Sequence, residues 1–372
     1  MTLRIGLIGS GYMGRAHAIA FATASAVFDL PDSVELDLLA DANAALAATA
    51  ARSLGFKRST GDWRDLIDDP AIDIVDITTP NLMHEEMALA AIEAGKHVYC
   101  EKPLAPNAAV AKRMTEAAEK AGVKTMVGFN YLKNPVTALA KEIIDSGEIG
   151  DVFSFRGAHA EDYMLDANTL VSPWRLDPRS GDGVVADLGS HAVSLARHVI
   201  GPIVSVAADC RTIIDERPTT QGTTMKIEVT DEVDALVRFA SGARGTIGAS
   251  WLAAGRKMAL GFEVRGTKGS LVVDFERLNE LRLYTTDQTV GREGYKLLLA
   301  GPAHKDYVDF CPAPGHQLGF NDLKAIEIKD LVEGVVSGEN SPAPDFREAY
   351  EVQRVIDAMI ESSRRDTWTD IA

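Results

Sequence analysis

The sequence predicts an α/β half carrying a parallel sheet with helices on both faces, followed by an α+β half built on a large, mostly antiparallel open sheet. Three observations predict it. Strand-like and helix-like segments alternate over the first 126 residues, and strand-like segments follow closely at Gly-containing turns from residue 203. The length of 372 residues is also too great for one ordinary core. The division is placed at 1–126 and 127–372, with a closing amphipathic helix at 346–364 that packs back on the first half.

Each element has a local reason. "LRIGLIG" is a short apolar run, and "YMGRAHAIAFATA" has helical spacing. "VELDLLAD" reads as a strand, and the Ala-rich "ANAALAATAARSLG" as a helix ending at Gly. "DIVDITTP" and "KHVYCE" are strands around the helix "LMHEEMALAAIEAG"; "NAAVAKRMTEAAEKAG" is a helix before the strand "VKTMVGF". Beyond it the helix "VTALAKEIIDSG" leads into "DVFSFRGAHA". "IVSVAADCRTII", "EVDALVRF", "ARGTIGASWL", "ALGFEVRG", "GSLVVDF" and "ELRLYT" then imply antiparallel pairing. Residues 301–319, with three Pro and three Gly, read as a long irregular loop.

Composition narrows the function. A hydrophobic share of 46% and a charged share of 25% are those of a soluble globular chain, and no apolar run is long enough for a membrane helix. Cys100, Cys210 and Cys311 are few, odd in number and far apart, which argues against disulfides or a thiolate metal site and for the cytoplasm. A net charge of −16 speaks against a nucleic-acid partner. An anionic cofactor must then be held by local backbone donors.

Such donors are written into "GSGYMG". Gly9, Gly11 and Gly14 directly follow the first strand and open the first helix, the context of a Rossmann dinucleotide turn. The first Gly allows the tight turn, the second lets backbone approach a pyrophosphate, and the third lets helix and strand pack closely. Asp41 ends the second strand, where a carboxylate can accept from the ribose hydroxyls of NAD and repel a 2′-phosphate. It lies further from Gly14 than the usual ~20 residues. The same Asp can cap the following helix.

Two further stretches carry chemistry. In "VYCEKPLA", Lys102 precedes Pro103 and is therefore biased to extended backbone at a strand's carboxyl end, where open α/β sheets present ligands. In "ADLGSHAVSLARH", Asp187 and His191 stand four apart, on one face of a helix, and a carboxylate near an imidazole tunes an acid/base group. No third ligand lies near them, which speaks against a metal; His198 on the same face reads as packing.

The Gly-rich turn with Asp41, "TTPNLMH", "CEKPLA" and "DLGSH", in this order, resemble the Gfo/Idh/MocA oxidoreductases over essentially the full chain. "GFNYLKNP" and "FRGAHAEDY" look closest to the members acting on inositols and levoglucosan. The resemblance implies an NAD-dependent dehydrogenase acting on a secondary alcohol of a cyclic polyol or sugar, with inositol first, a levoglucosan-type anhydrosugar next, and a non-catalytic NAD sensor as the reading from another class. It implies Lys102 beside the reacting hydroxyl, His191 as proton acceptor and Asp187 binding substrate or steering His191. It also implies Tyr12, Met13, Thr79, Pro80, Asn81, His84 and Glu101 along the cofactor.

For the substrate, "SPWRLDPRSGDG" offers Trp174, Arg175 and Arg179 just before the catalytic segment, "AEDYML" offers Asp162 and Tyr163, and the 301–319 loop offers His316. Lys133 stands where many relatives carry Arg, and no Arg cluster awaits a carboxylate or phosphate, so a neutral substrate is expected. The broad sheet of the second half predicts dimers or tetramers.

Overall fold

Strand β1 (Thr2–Ile8) is central to its sheet, and from Ile5 to Ile8 it is buried on both faces, as a covered parallel strand must be. It is followed by β2 (Ser33–Ala40), β3 (Arg58–Thr60), β4 (Ile74–Ile77), β5 (His97–Cys100) and β6 (Thr125–Val127). The sheet order is β3-β2-β1-β4-β5-β6 and every pair is parallel. Between the strands run α1 (Tyr12–Val27), α2 (Ala44–Leu54), α3 (Trp63–Asp68), α4 (His84–Glu93) and α5 (Ala108–Ala121). Short β3 and α3 have too little periodicity to be visible in the sequence. The Ala-rich faces of α1 and α2 pack Ala18, Ala47 and Ala51 against Leu7, Leu39 and Phe56.

The computed structural model describes residues 2–339 and 341–371, and the chain forms two units. The first runs to Lys133 and takes back Gly319–Glu351; the second holds Asn134–Leu318 and the chain from Val352. The boundary therefore falls after Lys133 rather than after residue 126. The returning segment is mainly a helix, here α9 after α6 (Pro135–Asp145), α7 (Ser190–Ile200) and the four-residue α8 (Tyr307–Phe310). Helix α9 spans Phe320–Ser337, and α10 (Phe346–Arg365) begins in the first unit and continues into the second. Its start docks in the first unit: Phe346 N–H donates to Thr125 Oγ1 at 3.2 Å, Phe346 O accepts from Thr115 Oγ1 at 3.0 Å, and Arg347 pairs with Glu119.

The second unit is built on β7 (Val152–Ala160), β8 (Ile203–Arg211), β11 (Glu232–Phe239), β12 (Arg244–Ser250), β13 (Ala259–Gly266), β14 (Gly269–Asp274), β15 (Glu280–Thr285), β16 (Lys296–Leu299) and β17 (Thr369–Asp370). A separate two-stranded ribbon pairs β9 (Glu216–Pro218) with β10 (Thr224–Lys226). The nine strands lie in the order β16-β15-β14-β13-β7-β12-β11-β8-β17. All pairs are antiparallel except β12 with β7. Alternation is clean on β11, where Val233, Ala235, Val237 and Phe239 are buried. Apart from α8, residues 301–319 are irregular, as their Pro and Gly content predicts.

Candidate active site

The first unit collects its candidate residues at the carboxyl ends of four adjacent strands, the edge at which open α/β sheets bind ligands. Gly9 follows β1, Asp41 follows β2, Thr79 to Asn81 follow β4, and Glu101 and Lys102 follow β5. Gly9 has φ +99°, a left-handed value that favours glycine. A Cβ on Gly14 would sit 2.0 Å from Gly9 O, so only Gly lets α1 start this close to β1. A Cβ on Gly11 would meet nothing within 4 Å, and no side chain caps the helix start at Tyr12 and Met13. Open space in front of uncapped N–H groups fits the pyrophosphate of a dinucleotide.

Asp41 is not the cap of α2. Asn43 takes that place, its Oδ1 accepting from Ala45 and Leu46 N–H at 2.9 and 3.2 Å. Asp41 instead accepts from Ser10 N–H and Oγ–H at 2.9 and 2.6 Å, which ties the end of β2 to the Gly-rich turn. His84 is fully buried; its Nδ1 lies 3.1 Å from Pro103 O and its Nε2 2.9 Å from Thr79 O. It sits between the Thr79 loop and the Lys102-Pro103 segment, whose peptide bond is cis, and a neutral ring donates its single N–H to one of the two carbonyls. Burial pushes its pKa down.

Glu101 also faces inward. Its Oε1 is 2.9 Å from His17 Nε2 and 2.8 Å from Lys324 Nζ, and its Oε2 accepts from Lys102 N–H at 3.0 Å. Burial opposes ionisation, but the Lys324 charge and the His17 contact hold its pKa well below the usual carboxylate range. Lys133 is committed as well, pairing with Asp330 of α9 at 2.6 Å.

The second unit assembles the other group of candidates. Asp182 accepts from Thr230 N–H and Oγ–H at 2.9 Å each, and Gly183, at φ +49°, leaves no room for a Cβ, which would lie 2.3 Å from Thr230 O. These contacts start the segment that carries Asp187, which sits in a π-helical turn, Val185–Gly189, immediately before α7. Such turns are rare and frequent at functional sites. One oxygen of Asp187, Oδ2, accepts from Tyr163 Oη at 2.7 Å and from Arg175 NH1 at 2.5 Å. The Asp187 charge pushes the Arg175 pKa up, so the guanidinium remains a fixed donor. Arg175 also lies over the Trp174 ring at 4.9 Å. His191 is buried at 6% exposed, its ring 5.5 Å from that of His159.

Thus Asp187, Tyr163, Arg175 and Trp174 come together. Asp162 points elsewhere: it pairs with Lys257 at 2.7 Å and accepts from Gly255 N–H, which lowers its pKa. Arg179 is exposed and paired with Asp177. His316 is exposed on its loop, its carbonyl held by Tyr307 Oη. His198, expected to pack, is exposed.

Sequence reasoning missed His17, Asp76, Tyr99, Lys324 and Glu327, which form the buried surroundings of Glu101. The available signals were Asp76 inside the apolar strand "IVDI" and Lys324 and Glu327 inside "LKAIEI", charges where periodicity demands core.

Comparison with known proteins gives the family. Residues 3–129 match the oxidoreductase family with an NAD-binding Rossmann fold, and residues 137–272 match the GFO/IDH/MocA C-terminal domain. A levoglucosan dehydrogenase of Pseudarthrobacter phenanthrenivorans is 39% identical over 99% of this chain and 98% of its own length. The scyllo-inositol 2-dehydrogenase (NAD(+)) of Bacillus subtilis is 27% identical over 92% of this chain and 89% of its own. A solved levoglucosan dehydrogenase in complex with NADH and levoglucosan superposes with a TM-score of 0.97 at 40% identity, covering all of both chains. The chain belongs to the Gfo/Idh/MocA oxidoreductases, and its first unit is their NAD-binding Rossmann domain.

Proposed function

We propose that the chain oxidises a secondary hydroxyl of a neutral cyclic sugar or polyol with NAD, an anhydrosugar of the levoglucosan type coming first and inositols or an aldose such as glucose second. The order reverses the expectation from sequence. It is supported by 39% identity to a levoglucosan dehydrogenase over nearly the whole chain, against 27% to an inositol enzyme. The observation that carries the reading is the joint presence of an uncapped Gly-rich helix start, Lys102 after β5, and a buried His191 four residues from a carboxylate already gripped by Arg175 and Tyr163.

The bound nicotinamide supplies the hydride acceptor. His191, with its imidazole neutral, takes the hydroxyl proton on a ring nitrogen. The Lys102 ammonium stabilises the developing alkoxide, an effect comparable to one oxyanion donor, about 3–4 kcal/mol. Asp187, its charge offset by Arg175, accepts from a neighbouring substrate hydroxyl and orients it; Tyr163 and Trp174 offer a polar tip and an apolar ring to the sugar. Asp41 accepts from the adenosine ribose and disfavours a 2′-phosphate.

Cys100, Cys210 and Cys311 are free thiols, and no helix among the described residues is long and apolar enough to cross a membrane. We place the protein in the cytoplasm, as a homodimer or homotetramer. Following NADH absorbance with levoglucosan, scyllo-inositol, myo-inositol and glucose tests the function. Fastest turnover on levoglucosan is expected; turnover on an inositol alone would restore the other order, and NADH binding without turnover on any sugar would leave only the sensor reading.

A further inference from the structure

A fully buried polar cluster lies directly behind the Lys102 backbone. His17 of α1 sets Nδ1 at 2.9 and 3.0 Å from the two oxygens of Asp76 on β4, and its ring stacks on Tyr99 of β5 at 4.6 Å. Lys324 of α9 reaches Glu101, Glu327 and Tyr99 Oη at 2.8, 3.0 and 3.2 Å, and lies 3.2 Å from His17 Nε2. Tyr99 Oη donates to Glu327.

Three carboxylates therefore share one ammonium and one imidazole away from water. Stability alone is a weak reason to keep such a group, because apolar replacement of buried ion pairs is often neutral or stabilising. The geometry points to another reason. Glu101 spends one oxygen on His17 and Lys324 and the other on the N–H of Lys102. Gly128 makes room for this carboxylate, since a Cβ there would lie 2.6 Å from Oε1, and the Glu101 backbone is held by its N–H bond to Ile77 O. On the far side of Lys102, Pro103 O packs against buried His84, 3.1 Å from its Nδ1. The backbone that carries the reactive ammonium is thus fixed on both sides by buried polar groups.

We propose that Lys324 and His17 are positioning residues for Lys102, acting through Glu101: a helix more than 200 residues later in the chain sets the placement of the catalytic ammonium. The inference rests on the catalytic role proposed for Lys102. It differs from a packing role because misplacing a reacting group by about 1 Å costs about 10²-fold in turnover while leaving binding intact.

The test uses the full chain and the sugar or polyol that wild type oxidises fastest. Lys324→Met, Glu101→Gln and the double variant, which removes one buried charge of each sign, are compared for kcat, KM, NADH dissociation constant and unfolding temperature. The expected result is a fall in kcat of about 10²-fold per NADH-binding site, with KM and NADH affinity close to wild type, in whichever of the three folds. Wild-type kcat per binding site in a folded variant, however lowered its unfolding temperature, would overturn the inference and leave a structural cluster. Lys102→Ala serves as reference: undiminished turnover there would sink the catalytic reading itself.

Discussion

At Gly14 a single methyl group collides with Gly9 O, a backbone atom fixed by the turn. Gly14→Ala should therefore separate α1 from β1 and disturb the donors offered to the cofactor, lowering NADH affinity at least about tenfold. Fluorescence titration checks this, and wild-type affinity would contradict the role given to the turn. Gly14, Asp41 and Lys102 were legible because their meaning lies in spacing relative to strands. Asp187 was legible as a residue but not in its contacts: Tyr163 and Arg175 approach it from loops whose path no periodicity encodes. The same lack of local signal explains Asp162, which an unforeseen Lys257 claims. The family resemblance implies Glu101 along the cofactor; what sequence did not show is its side chain's buried contacts with His17 and Lys324, which come from elements distant in the chain.

At the scale of elements, α9 is the piece that sequence reading left without a purpose. Its Lys324 and Glu327, one turn apart, face β5 and α1 rather than water. The cluster they complete makes stability depend on pH. Burial alone would lower the pKa of His17, but the Asp76 charge and hydrogen bonds prevail and raise it. Burial likewise raises Asp76, so the pair retains a proton that the unfolded chain gives up. Stability from His17 is then fully present below its unfolded value of about 6.5 and is lost as pH rises through the folded value. Urea unfolding at pH 6 and pH 8.5 should show wild type weakening more than His17→Gln; equal slopes for the two proteins would remove the cluster's protonated imidazole from the account.

For the whole chain, the two fold types and nearly every long strand could be read from periodicity. The division between units could not, because Gly319–Glu351 rejoins the first unit after an excursion of almost two hundred residues. The outer face of the nine-stranded sheet carries a cross-strand row, Leu236–Thr246–Arg156–Glu263–Val272–Arg282, which mixes apolar and charged groups. Leu236 is 52% exposed in a single chain. Light scattering at micromolar concentration should return a dimer or tetramer, and Leu236→Arg should lower that mass; a wild-type monomer would contradict the oligomer proposed from this face.

All of these scales serve one chemical claim, that Lys102 and His191 act on the hydroxyl being oxidised. The most direct measurement is steady-state NADH formation from levoglucosan by wild type, Lys102→Ala and His191→Ala, with NADH affinity determined for each. The predicted result is robust wild-type turnover and a fall of about 10²-fold or more in both variants at nearly unchanged NADH affinity. Turnover at the wild-type rate in either variant would contradict the claim.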